Sequence, residues 1–223
     1  MVTAERAAEI MGQNIFLPQD WEDAYKLILS GQQTEAAKLF PWKEVTLISS
    51  CPLCGEIIKN CHFAYFGVDS FSGAPLNIQM LQKLHPVAAK PGEPRFERYS
   101  SDQWFSKEKF TNSVLVPGWR LLHINIVPSS RGKPWEKQRK TLAPGYAIPT
   151  LLEELLKNLL FFKKTGGYAN PKEYGRCAEV DSFGLRVDTG GCNDFGRNIT
   201  INHWDGNTPY PAIGIAASRK PEA

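Results

Sequence analysis

The stretch from Tyr174 to Lys220, YGRCAEVDSFGLRVDTGGCNDFGRNITINHWDGNTPYPAIGIAASRK, admits few folds. Turn signals recur at near-regular intervals, at Ser182-Phe183-Gly184, Asn193-Asp194-Phe195-Gly196 and Asp205-Gly206-Asn207. Between them apolar and polar residues alternate, as in Leu185-Arg186-Val187-Asp188 and Ile199-Thr200-Ile201-Asn202. A period of two broken by short turns is the pattern of half-buried strands, so the sequence predicts a meander with one core face and one wet face. The wet face is expected to carry Asp181, Asp188, Asn193, Asn198, Asn202, His203, Asn207 and Tyr210. These side chains recognise ligands, and no acid, base and nucleophile set stands among them. The pattern points to a binding surface and not to an enzyme, with no cofactor motif.

The chain has 223 residues, 42% of them hydrophobic, enough for a substantial core in one large or two small domains. A net charge of +3 with scattered basic residues does not predict a nucleic-acid partner; the denser run from Arg131 to Lys140 reads as a solvated helix face. No apolar stretch approaches the roughly 20 residues of a membrane span. The start, MVTAERAAEI, has acidic residues and no apolar run of the secretory kind. Five cysteines, an odd number, fit a reducing compartment better than a disulfide framework, so a cytoplasmic location is the default expectation.

Residues 3–12 read as a short helix capped by Thr3 and stopped by Gly12. Pro18-Gln19-Asp20 opens a second, with Asp20 as its cap, and a third covers 34–40. This helical segment, 1–41, is expected to cover a larger domain over 42–223. There, 44–48 and 62–66 read as strands, and 68–115 as an insertion with a helix over 76–84 and aromatic anchors Trp104, Phe105 and Phe110. Residues 120–127 read as a strand with Leu122, Ile124 and Ile126 on one face; His123, on the other, reads as a packed or solvated histidine. Thr150 and Glu153 form a capping box for the longest helix, which Gly166-Gly167 ends. Its stripe of Leu151, Leu152, Leu155, Leu156, Leu159 and Leu160 must lie against the sheet.

One motif has metal-site chemistry. In Cys51-Pro52-Leu53-Cys54-Gly55 two thiolates stand at the spacing that lets them bite one tetrahedral ion, and a closed site needs two more ligands. Cys61 and His62 lie close enough in sequence to supply them, and a second C-x-x-C is absent. Zinc held by Cys51, Cys54, Cys61 and His62 is one reading; a tight turn between two strands is the other, and the one the sequence favours.

The C-terminal half also resembles a known family. Trp135 in a short helix, Gly145-Tyr146-Ala147-Ile148-Pro149-Thr150 leading into a second helix, and a final Gly214 to Arg219 strand are similar to the bacterial C-type lectin-like fold. The ending GRCAEV…RV…WDG…GIAASRK resembles, more narrowly, the variable proteins of diversity-generating retroelements. The likeness covers about 117–220. It implies an α+β, C-type lectin-like fold with two helices packed on a mostly antiparallel sheet. It further implies a non-enzymatic display protein whose C-terminal surface, rewritten by mutagenic reverse transcription, binds a macromolecular ligand, in the first place a protein. Displayed residues would then be Asp181, Phe183, Leu185, Asp188, Asn193, Asp194, Phe195, Asn198, Thr200, Asn202, His203 and Asn207, with Trp204 and Tyr210 adding aromatic contact area. Val180, Val187, Ile199, Ile213 and Ile215 would be buried. The sequence departs from calcium-dependent lectins of this fold in lacking their proline motif, so calcium-mediated sugar binding is not expected. Competing readings are a zinc-dependent or thiol enzyme and a structural subunit, the latter with an apolar patch between Leu76 and Phe110. Neither the ligand nor the oligomeric state follows from the sequence.

Overall fold

The computed structural model describes residues 1–90, 92–97, 103–190 and 198–222. Among these the helices are α1 (Ala4–Met11), α2 (Pro18–Tyr25), α3 (Gly31–Ala37), α4 (Glu44–Leu47), α5 (Ile58–Cys61), α6 (Ile78–Leu84), α7 (Trp135–Arg139) and α8 (Leu151–Thr165). A five-stranded sheet runs β2 (Ile15–Phe16), β4 (His62–Gly67), β7 (Gly118–His123), β13 (Ser218–Arg219), β8 (Tyr146–Ala147). A four-stranded sheet runs β11 (Thr200–Trp204), β10 (Arg186–Gly190), β9 (Tyr174–Val180), β12 (Ile213–Ile215). Two small pairs complete the set, β1 (Val2–Thr3) with β3 (Leu39–Phe40) and β5 (Ser70–Phe71) with β6 (Ala74–Pro75). The protein is therefore α+β. No described helix is long and apolar enough to cross a membrane.

Helix α8 organises the interior. Thr150 Oγ1 accepts the Glu153 N–H at 3.2 Å and Glu153 Oε2 accepts the Thr150 N–H at 2.8 Å, the expected capping box. Gly166 ends the helix in the left-handed conformation at φ 80°. The six leucines are buried as expected, each contributing about 1.5–3 kcal/mol. The helix touches β4 and β7 of one sheet and β9 and β10 of the other, so the face opposite the leucine stripe is buried too. That face carries Glu154, Lys157 and Asn158, all fully buried. Lys157 Nζ donates to Glu154 Oε1 at 2.5 Å and to the carbonyls of Ile124 at 2.8 Å and His123 at 3.2 Å. Asn170 Nδ2 donates to Glu154 Oε1 at 2.9 Å.

The N-terminal helices share this core. Ile15 and Phe16 form an edge strand parallel to β4, and Trp21 is buried with its Nε1–H on the Phe66 carbonyl at 2.9 Å. Three local expectations need correction. Residues 44–47 form helix α4, not a strand: the adjacent Thr46 and Leu47 are buried together while Val45 and Ile48 are exposed, so the burial does not follow the alternation, and Glu44 in the first turn binds the Arg6 guanidinium at 2.6 and 3.0 Å. Asp20 does not cap α2 from outside; it lies in the first turn and accepts the Leu17 N–H at 2.6 Å. Strand β7 stops at His123, after which the Ile124 N–H turns to the Cys61 carbonyl at 2.8 Å and the Val127 N–H to that of Ile215 at 3.0 Å.

The 68–115 segment drapes over the outer edge of the four-stranded sheet. Ile199 exchanges backbone bonds with Arg95 and Glu97 at 2.8 and 3.0 Å, and Arg95 Nε donates to Asn198 Oδ1 at 2.6 Å. Leu76, Ile78, Leu81, Phe96, Phe105 and Phe110 are all buried, so these residues do not supply the apolar patch a structural subunit would expose.

The alternation of the meander has a measurable consequence. Ile215 is fully buried, whereas Asn202 is half-buried and its amide makes one long bond, 3.4 Å, to Thr200. Ile215→Ala is expected to cost about 2–5 kcal/mol in urea unfolding, and Asn202→Ala no more than about 0.5 kcal/mol. Equal losses would contradict a division between scaffold and display positions.

Candidate binding site

Strands β9, β10, β11 and β12 set their side chains in register: Asp188 lies opposite Asn202 on one side and Arg176 on the other, and Tyr174 lies beside Ile213. At this place a pocket of about 340 Å³ is lined by Trp104, Tyr174, Asp188, Asn202, His203, Trp204, Tyr210 and Ile213. Aromatic rings form its walls. Trp204 and Tyr210 have centroids 5.0 Å apart, and Trp104 stacks on His203 at 4.1 Å. Trp104 is brought in by the draped segment, its Nε1–H on the Ile201 carbonyl at 3.4 Å. The His203 ring is oriented by a hydrogen bond from its Nδ1 to Asp181.

The pocket floor is charged. Asp188 is fully buried, and neither of its carboxylate oxygens has a hydrogen-bond partner among the described residues. Burial pushes its pKa up from 3.8 to about 7, with Arg176 pulling the other way. Arg176 does not neutralise the carboxylate by contact, because its guanidinium donates to Gln138 Oε1 and to the Asp205 carbonyl, both at 3.0 Å. A buried, unpaired carboxylate is costly, and here the cost is met in part by the raised pKa, which keeps the group substantially protonated near neutral pH.

Of the residues expected on display, the structure brings Asp188, Asn202, His203, Trp204 and Tyr210 together at the pocket. Phe183 is 77% exposed at the β9–β10 turn, Leu185 is half-buried there, and Asn207 is exposed beyond β11. Asn198 faces the draped segment and is held by Arg95. Asn193, Asp194 and Phe195 lie outside the described residues. Four positions are corrected. Asp181, Asp188 and Thr200 are buried and not displayed, and Val180, expected in the core, is 41% exposed. The outer face of the sheet is itself covered: the Trp135 N–H bonds to the Gly206 carbonyl at 2.8 Å, and Arg186 lies over the Trp135 ring at 4.1 Å.

Asp181 has a structural task in the turn. It accepts the N–H groups of Phe183 at 2.9 Å and Leu185 at 2.8 Å. Burial works to raise its pKa, but those amides and His203 hold the carboxyl below its ordinary value. Thr200 Oγ1 donates to the Gly190 carbonyl at 3.0 Å, a bond that ties β11 to β10. Sequence reasoning missed Tyr174, took Ile213 for core alone, and took Trp104 for an anchor without a role in the site.

A second cluster forms on the opposite side of α8. Cys51, Cys54 and Cys61 meet as the spacing suggested, but the histidine whose ring nitrogen lies near all three sulfurs is His123, whereas His62 reaches Cys61 alone. His62 is buried with Nε2 paired to the Tyr146 hydroxyl at 3.1 Å and Nδ1 facing Cys61 Sγ at 3.2 Å. Burial pushes the His62 pKa down to about 3. The cysteine motif is a tight turn closed by an antiparallel bridge between Ser50 and Ile57, as the favoured reading expected, but it joins α4 to α5 and not two strands. Compared with protein-family models, with curated proteins and with solved structures, the chain has no match.

Proposed function

We propose that this protein is a non-enzymatic ligand-binding protein with a C-type lectin-like arrangement, presenting the pocket on its meander to a macromolecular target, a protein in the first place. The observation that carries the reading is Asp188: an unpaired carboxylate beneath a rim of Trp204, Tyr210, Tyr174 and Trp104 is complementary to a cationic group on an apolar stem. A lysine or arginine side chain of the target would place its charge on Asp188 and its methylenes against the rings.

Support for the fold reading comes from the final strand β13, which returns between β7 and β8, and from the separate four-stranded sheet beside α8. Support for display comes from Phe183 and Asn207, which are exposed at turns and can vary without touching the core. Diversification itself is tested in the DNA. A near-copy of the segment encoding residues 176–220, differing at adenines and lying beside a reverse transcriptase gene, is the expected finding; its absence removes diversification and leaves binding.

The pocket is tested with acetyl-arginine amide and its neutral citrulline counterpart, followed through the indole N–H resonances of Trp104 and Trp204. The arginine compound is expected to shift both resonances and the citrulline compound neither. Its affinity should rise with pH through about 7, as Asp188 ionises. Identical responses to the two compounds, or none, would reject a cation site.

A further inference from the structure

We propose that Cys51, Cys54, Cys61 and His123 hold one zinc ion, as a structural site that fastens the α4–α5 knuckle to the end of β7. The four candidate ligand atoms lie within 4.8 Å of one another. A tetrahedral zinc with Zn–S bonds near 2.3 Å needs sulfur atoms about 3.8 Å apart, so the cluster has only to contract by about 1 Å. Three thiolates and one imidazole are a structural zinc donor set, and four protein ligands leave no open position for substrate.

The histidine is the second, independent observation. His123 is 2% exposed, its Nδ1–H donates to the Asn125 carbonyl at 2.7 Å, and its Nε2 has no hydrogen-bond partner among the described residues. That outer hydrogen bond fixes the tautomer in which Nε2 carries the lone pair, as ligating histidines require. A buried lone pair without a partner, aimed at three sulfurs, is what a metal ion satisfies.

The surroundings are built for the site. Gly55, at φ 81°, takes the left-handed turn after Cys54, and its N–H bonds to the Cys51 carbonyl at 2.8 Å. The Leu53 N–H points to Cys51 Sγ at 3.3 Å, and the Tyr146 hydroxyl lies 3.8 Å from the same sulfur. The Cys61 carbonyl accepts the Ile124 N–H, which stitches the third cysteine to the histidine's strand. A polar pocket of about 480 Å³, bordered by Cys54, Cys61, His123, Glu56 and Asn125, gives an ion a way in from solvent. On loading, thiol protons pass to water, the sulfurs bind as thiolates, and no redox change occurs. This proposal stands apart from the ligand pocket, and either can fail alone.

The test uses the full chain, purified without added metal and analysed by elemental mass spectrometry. One zinc per chain is expected, and replacement by cobalt should give the visible bands of a tetrahedral thiolate site. Zinc removal by a chelator should lower the melting temperature, and returned zinc should restore it, a reading that needs no variant. His123→Gln should weaken zinc retention by more than about 100-fold, whereas His62→Gln should keep it. Metal-free protein with a melting temperature indifferent to zinc would overturn the proposal, as would a disulfide between two of the three cysteines. Zinc lost in His62→Gln but kept in His123→Gln would also overturn it and return the fourth ligand to His62.

Discussion

Lys157→Met is expected to destabilise the protein by about 3–5 kcal/mol in urea unfolding at pH 8, although methionine matches the lysine stem in size. Lys157 and Glu154 are both fully buried, one turn apart on a helix enclosed by two sheets. Removing the ammonium leaves the Glu154 carboxylate in an apolar interior with only the Asn170 amide to bind it, and leaves the His123 and Ile124 carbonyls without their donor. Burial already raises the Glu154 pKa, with Lys157 opposing the rise. In the variant the opposition is gone, so the folded state holds a proton that the unfolded chain releases, and the deficit should grow as pH rises above the ordinary carboxylate range. The double variant Glu154→Gln, Lys157→Met should recover much of the loss, because no unpaired charge is left behind. A single-variant loss under about 1 kcal/mol at pH 8 would mean that water reaches the pair.

Asp188→Asn works in the opposite direction and should stabilise the ligand-free protein. Its folded pKa, about 7, lies above the ordinary 3.8, so folding holds a proton that the unfolded chain gives up. The stability belonging to the neutral acid is therefore complete below about pH 4 and is lost as pH rises through 7. Asparagine, always neutral, avoids that loss. The advantage of the variant should be near zero at pH 4 and reach up to about 4 kcal/mol at pH 8, from a shift of roughly three pKa units. A pH-independent difference between variant and parent would show that the carboxylate is solvated. If the pocket takes a cation as proposed, the same substitution should abolish binding of the arginine probe, so that stability and binding move in opposite directions.

The parity of the meander was legible from the sequence, and the cover over it was not. Val187, Ile199, Ile213 and Ile215 are buried as the alternation required. Asp188 and Thr200 lie on the opposite parity and are buried as well, because Tyr174 from β9 lies against both of them, while Trp135, Gln138 and the loop after β11 cover the Arg186 and Arg176 end of the same face. A strand pattern records which side a residue faces and nothing of what later folds onto that side. The cysteine cluster divides the same way: Cys51, Cys54 and Cys61 are close in sequence and were readable together, whereas His123 arrives through strand pairing with His62. His123 lies on the face opposite Leu122 as the alternation required and is buried there; that the cysteines sit on that same side is a tertiary fact the strand pattern does not contain. Helix α8 shows a third limit, since its leucine stripe announced one sheet and gave no hint of the second.

The placement of β13 in the middle of the five-stranded sheet bears on how the chain reaches its fold. Ser218 pairs with Leu122 of β7 and with Ala147 of β8, so those two earlier strands have no neighbour between them until the end of the meander has been made. The Lys220 carbonyl then accepts the Trp42 Nε1–H at 2.9 Å, and Glu222 accepts from Thr46, joining the last described residues to the first helices. Pairings of such long sequence separation are slow to form and leave open strand edges meanwhile. Until the chain has been made through Arg219, the central sheet therefore lacks the strand between β7 and β8. A chain truncated before β13 should expose the facing edges of β7 and β8 and aggregate, which size-exclusion chromatography of a variant ending at residue 212 would read directly.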